Sequence, residues 1–216
     1  MFKLLFLSLL STASIAGEVF DEFPLKIEPD KKYVFYSHGL IVEGTDPRPV
    51  NSNWGIYEFP QIKQILSDQE YNLIAYHRPK NTNPTEFATK LASDVKLLLQ
   101  KGVSAKNITL IGFSRGGAIT ILTSNLLANK ELSFVILAGC GRYLKNEPEL
   151  KLHGHIYSMF ETSDNVGSCQ FLIDRSNNVT SFIEKTISTG KSHGAFYRPL
   201  PEWTIPVKAW IKLNRT

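Results

Sequence analysis

The chain is poor in several features that would point elsewhere. It has only two cysteines in 216 residues, and no uninterrupted apolar run of the about 20 residues needed to cross a bilayer. It lacks a P-loop, a glycine-rich dinucleotide turn and an H-E-x-x-H zinc helix. His153 and His155 sit on one strand and are expected to point to one side. No third or fourth ligand stands at zinc spacing, so neither a metal nor a cofactor is expected. The net charge of +4 is spread out, with its densest groupings only at Lys31-Lys32 and around Arg78 and Lys80. Without a basic-aromatic cluster, nucleic acid is excluded as a partner. What remains is ordinary globular composition, 43% hydrophobic and 20% charged, which excludes a disordered tail, a coiled coil or a fibre.

The first residues read as a leader. Lys3 supplies a positive charge, Leu4 to Leu10 an apolar run, and Ser14-Ile15-Ala16 a small-residue cleavage site. Cleavage after Ala16 is expected, leaving one exported domain over residues 17–216 with no integral membrane segment. In an oxidising compartment Cys140 and Cys169 are expected to pair, the alternative being two buried thiols. Asn107, Asn178 and Asn214 begin glycan acceptor sequences, which matter only in a eukaryotic source.

Short, nearly continuous apolar runs mark strands at Tyr33–Ser37, Tyr71–Tyr76, Ile108–Ile111, Phe134–Ala138, Ile156–Phe160 and Phe182–Ile187. Between them lie helical patterns. Asn83-Pro84-Thr85-Glu86 reads as a cap, followed by Phe87, Leu91, Val95, Leu98 and Leu99 at helical spacing. Ala118, Ile119, Leu122 and Leu126 mark one face of the next helix, and Trp203, Val207, Trp210 and Ile211 that of the last. Strands apolar throughout are covered on both faces, as parallel sheets are. The expected fold is therefore α/β: a doubly wound, mostly parallel sheet of about six strands, with helices on both faces and functional loops at the strands' carboxyl ends.

Gly112-Phe113-Ser114-Arg115-Gly116 fits G-x-S-x-G between a strand and a helix. In that context the glycines permit a sharp turn that lifts the serine hydroxyl above the sheet edge. Here the chain resembles the α/β-hydrolase superfamily, in particular its small lidless serine esterases. The resemblance implies the chain order nucleophile, acid, base: Ser114, then Asp164 after the fifth strand, then His193 after the sixth. Glu161 is a rival for the acid, and Asp174 reads as a solvated helix residue. It also implies oxyanion donors at the backbone N–H groups of Arg115 and of Leu40, which follows His38-Gly39. No large cap fits between Cys140 and Asp164. The segment Ile41–Phe59, carrying Glu43, Arg48 and Trp54, is the other long insertion. His38, Glu43, Arg48 and Arg78 are candidate substrate-lining residues, although an arginine there would also suit a local carboxylate such as Glu43. The implied activity is hydrolysis of a small-molecule acyl ester, thioester or amide through an acyl-enzyme. The alternative is a hydrolase-fold binding protein with little turnover.

Overall fold

The computed structural model describes residues 18–213; the leader read over Met1–Ala16 and the sequon at Asn214 lie outside the described residues. In chain order the strands are β1 (Val19–Phe20), β2 (Lys32–Ser37), β3 (Val50–Asn51), β4 (Gly55–Ile56), β5 (Tyr71–Ile74), β6 (Ile108–Phe113), β7 (Ser133–Leu137), β8 (His153–Glu161) and β9 (Asn178–Ile187). The helices are α1 (Phe59–Leu66), α2 (Pro84–Gln100), α3 (Arg115–Leu127), α4 (Gln170–Ile173) and α5 (Pro201–Lys212). Seven strands make one sheet in the order β1-β5-β2-β6-β7-β8-β9, paired in parallel throughout. The strand beyond the expected six is β1, a two-residue edge strand too short to leave a periodic pattern.

Successive side chains of a strand face opposite ways, and both faces of this sheet are covered. Val34, Tyr36, Ile111, Phe113, Val135 and Leu137 pack with α1 and α5. Their neighbours Tyr33, Phe35, Leu110, Phe134 and Ile136 pack with α2 and α3. The cap of α2 forms as its sequence suggests: the Asn83 side chain accepts hydrogen bonds from the Thr85 and Glu86 amides. Helix α3 departs from its expected face. Leu126 is exposed and Leu122 only half-buried, while Thr120, Ile121, Thr123 and Ser124 are buried. The reason is that α3 is enclosed between β6, β7 and α2; the Thr123 and Ser124 hydroxyls find partners inside, whereas that of Thr120 has none. Thr123 donates to the Ile119 carbonyl at 2.8 Å, and Ser124 exchanges hydrogen bonds with the His153 backbone.

Cys140, just after β7, is disulfide-bonded to Cys169, just before α4. Closing a 29-residue separation is worth about 3–4 kcal/mol in the chain-entropy model. The long insertion is ordered locally by a 3-10 turn at Leu40–Val42 and an antiparallel hairpin of β3 and β4. Among the described residues no helix is long and apolar enough to cross a membrane.

The register sets up the site. Ser37 lies opposite Gly112, Phe113 opposite Leu137, Leu137 opposite Met159, and Glu161 opposite Ile187. The carboxyl ends of the adjacent strands β2, β6, β7, β8 and β9 therefore share one rim, and the segments carrying Leu40, Ser114, Asp164 and His193 all leave from it.

Candidate active site

Ser114 joins β6 directly to α3 and has φ of 53°, a left-handed conformation that costs a non-glycine residue about 1–3 kcal/mol. Its amide donates to the Leu137 carbonyl at 2.9 Å, which ties the turn to β7. The turn also needs bare backbone on both sides. A Cβ on Gly112 would lie 2.1 Å from the Gly116 carbonyl oxygen, and one on Gly116 would lie 1.9 Å from that of Ser37. The glycines of G-x-S-x-G thus serve close packing of strand, helix and neighbouring strand.

The structure brings Ser114, His193 and Asp164 together. His193 Nε2 lies 2.8 Å from Ser114 Oγ, and His193 Nδ1 lies 2.6 Å from Asp164 Oδ2. The other Asp164 oxygen accepts from the Val166 amide at 3.1 Å. An ionised carboxylate only accepts, so Nδ1 carries the ring proton and Nε2 is free to accept from the serine hydroxyl. The imidazole lies between two rings, Phe113 at 4.8 Å and Trp54 at 5.1 Å between centroids. Trp54 comes from the long insertion. Nothing in its spacing singled it out as the partner of His193.

Glu161 holds the loops: its hydrogen bonds go to Ser163, Thr189 and Gly190. It is 0% exposed, and its oxygens accept from the Ser163 amide and hydroxyl and from the Thr189 and Gly190 amides, at 2.5–2.9 Å. Burial alone would raise its pKa, but these hydrogen bonds outweigh burial and hold it below the usual carboxylate value. The loops bearing Asp164 and His193 are tied to one carboxylate.

The amide of Arg115 stands at the first position of α3, where a helix supplies no acceptor. Leu40 opens the 3-10 turn across from it, and both residues line the depression beside Ser114. Behind them the four residues expected to line the substrate do something else. His38 and Arg78 are each 0% exposed, and the Glu43 side chain is 2% exposed. Glu43 Oε1 lies 3.0 Å from Arg115 Nε and 3.3 Å from Arg78 Nε. Arg78 also donates to the His38 carbonyl at 2.5 Å, and its amide donates to His38 Nε2 at 3.0 Å. That leaves His38 Nδ1 to donate to the Gly39 carbonyl, 2.8 Å away. Burial, seconded by the Arg78 charge, pushes the His38 pKa well down, so the ring is neutral. Arg48 pairs with Glu58 through two hydrogen bonds of 2.9 and 3.0 Å. His38, Glu43, Arg48 and Arg78 are therefore corrected from lining to support: Glu43 pairs with Arg78 and Arg115, the carboxylate partner the sequence offered as the alternative, His38 is buried beside Arg78, and Arg48 pairs with Glu58.

Two more residues steady this side. The Gly39 amide donates to the Tyr57 phenol at 3.3 Å, and the Tyr57 and Tyr36 oxygens are 2.8 Å apart. Burial pushes the Tyr57 pKa up to about 12, keeping the phenol protonated. At the opposite strand end, the two histidines read as facing one way are separated in environment. A bulge interrupts β8 between Gly154 and His155; His153 is buried, whereas His155 is half-exposed and bonded to Ser181 Oγ.

No protein-family model and no curated protein matches the sequence. Solved structures match by shape. SOBER1 from Arabidopsis thaliana is 15% identical, with a TM-score of 0.55 over 84% of this chain and 98% of its own. An arylesterase is 14% identical, with a TM-score of 0.56 over 88% and 77%. A lipase-esterase related protein from Clostridium acetobutylicum is 14% identical, with a TM-score of 0.54 over 92% and 97%. At such identity the likeness speaks for architecture, and the parallel sheet with its strand-turn-helix serine agrees with it. The chain has the α/β-hydrolase fold.

Proposed function

We propose that this protein is an exported serine hydrolase, a single domain over residues 17–216, that cleaves carboxylic esters of small molecules through an acyl-enzyme. Ser114 attacks the acyl carbonyl while His193 takes its proton and then passes it to the leaving oxygen. Asp164 holds the imidazole in the required tautomer and balances the imidazolium charge. The amides of Leu40 and Arg115 receive the oxyanion, each donor contributing about 10²–10³-fold to turnover. Water, activated by the same histidine, then frees the acid. No cofactor takes part. The carrying observation is the unbroken path of contacts from Ser114 Oγ through His193 to Asp164. Export is supported by the leader pattern and by the Cys140–Cys169 disulfide, which suits an oxidising compartment.

The test is hydrolysis of short acyl esters together with labelling by a fluorophosphonate. Wild type should label and turn over; Ser114→Ala should lose the label and about 10⁴-fold or more in kcat. Folded wild-type protein that neither labels nor hydrolyses at neutral pH is the result expected of a binding module.

A further inference from the structure

Two depressions meet at Ser114, and Leu40 lines both. The first, about 400 Å³, holds His193 together with Trp54, Phe113 and Tyr197. The second, about 320 Å³, lies on the Arg115 side and passes over Ala118, Gly139 and Val166 beside Tyr143. Pro84, Ala118 and Tyr143 also border a third depression of about 320 Å³, walled by Leu122, Leu144 and Leu150. The second and third are thus one apolar groove leading away from the serine.

Reaction geometry assigns the two sides. The bond broken on acylation joins the carbonyl carbon to the leaving oxygen, and that oxygen must receive its proton from His193 Nε2. The leaving group therefore belongs in the depression that contains His193. The carbonyl oxygen turns to the amides of Leu40 and Arg115. The remaining substituent of the tetrahedral carbon, the acyl chain, is directed toward the groove. Resting on the esterase reading, we infer that this groove is an acyl-chain subsite selecting unbranched apolar chains of medium length, with Tyr143 as its specificity-determining cover.

Tyr143 suits that task. It is 60% exposed, an unusual position for a large ring on an apolar border, and a chain lying beside it would cover that surface. Its place depends on Gly141, since a Cβ there would lie 2.7 Å from the Tyr143 ring. The wall that carries it is fixed: Cys140 is held by the disulfide, and Arg175 donates to the carbonyls of Leu144 and Leu150 at 2.9 and 3.0 Å. The arginine nearest the serine does not call for an anionic chain, because Arg115 is already engaged by Glu43 and the Thr82 carbonyl. The exposed Glu147 carboxylate at the far end opposes one.

The experiment is kcat/KM for p-nitrophenyl acetate, butyrate, octanoate, decanoate and palmitate. In wild type it should rise about fourfold per added methylene while the groove fills, peak at octanoate or decanoate, and fall at palmitate. Tyr143→Ala, a change at an exposed position, should lower the octanoate-to-acetate ratio at least tenfold. Leu122→Trp, which fills the far part of the groove, should move the peak to butyrate; circular dichroism and the fluorophosphonate label report that each variant is folded. Ser114-dependent hydrolysis with a flat chain-length profile, or with the ratio unchanged in both variants, overturns the subsite and leaves the esterase reading standing. Absence of any Ser114-dependent hydrolysis overturns both.

Discussion

Two buried carboxylates, Glu43 and Glu161, support the two halves of the rim in different ways. Glu161 sits at the end of β8 and is satisfied by three amides and a hydroxyl from the loops it joins. Glu43 follows the 3-10 turn and faces two guanidinium groups, one almost wholly buried. Dipoles that converge on a carboxylate keep it ionised without burying a countercharge. Paired ions bury charge on both sides, and one Glu43 oxygen and one Arg78 nitrogen find no hydrogen-bond partner inside. The side of the rim bearing Asp164 and His193 is therefore held by neutral donors, and the side bearing Leu40 and Arg115 by an ionic cluster whose members cannot be removed singly without leaving a charge stranded.

The largest effect should come from breaking the ionic side. Glu43→Ala is expected to destabilise by about 3–5 kcal/mol in urea unfolding, because two arginines lose their common partner. Adding Arg78→Met should recover part of that loss; a double variant as unstable as the sum of its singles would remove the contrast between the two carboxylates.

A smaller effect, about 2–3 kcal/mol, is expected for Glu161→Gln, whose amide turns donors toward donors. Its signature is in pH. The Glu161 pKa is held below 4.5 in the fold, so the unfolded chain takes up the proton first. The stabilisation is whole above the unfolded value and is lost as pH falls through the folded one. Melting curves should accordingly show wild type losing its advantage over Glu161→Gln as the solution is acidified below about 4.5. His38 acts earlier in the same direction: its pKa is pushed well below 6.5, so stability begins to fall once pH drops beneath that value, in wild type and variant alike.

The smallest effect belongs to Arg48. Its side chain is 53% exposed despite the paired contact with Glu58, so Arg48→Ala should leave the unfolding midpoint close to that of wild type. A larger loss in chemical denaturation would place Arg48 with the ionic cluster.

How much of this was legible depends on whether the signal was local. The six longer strands were readable because each is a compact apolar run bounded by turn residues, and the α2 cap because four adjacent residues form it. Ser114 was readable for the same reason, and the chain order implied by the resemblance pointed to His193, which lies within hydrogen-bond reach of it, and to Asp164, which contacts His193. Residues acting across the fold were not. Glu43, Arg78 and Arg115 meet from three separate segments, and the sequence of a charged residue does not record whether water or another charge neutralises it. Hence the four residues named as lining are engaged in support instead, while Trp54, carried by the insertion that the sequence marked as able to line the site, is the residue of that segment that packs on His193. Helix α3 misled because the hydroxyls of Thr120, Thr123 and Ser124, buried in the core, imitate a solvent face.

The left-handed backbone at Ser114 carries a consequence for anyone improving this protein. A glycine would occupy that conformation without penalty, so on the proposed hydrolase reading the position is held by chemistry at the expense of robustness. Selection for heat tolerance alone would drift toward an inert molecule, and any stabilising campaign must score turnover alongside survival.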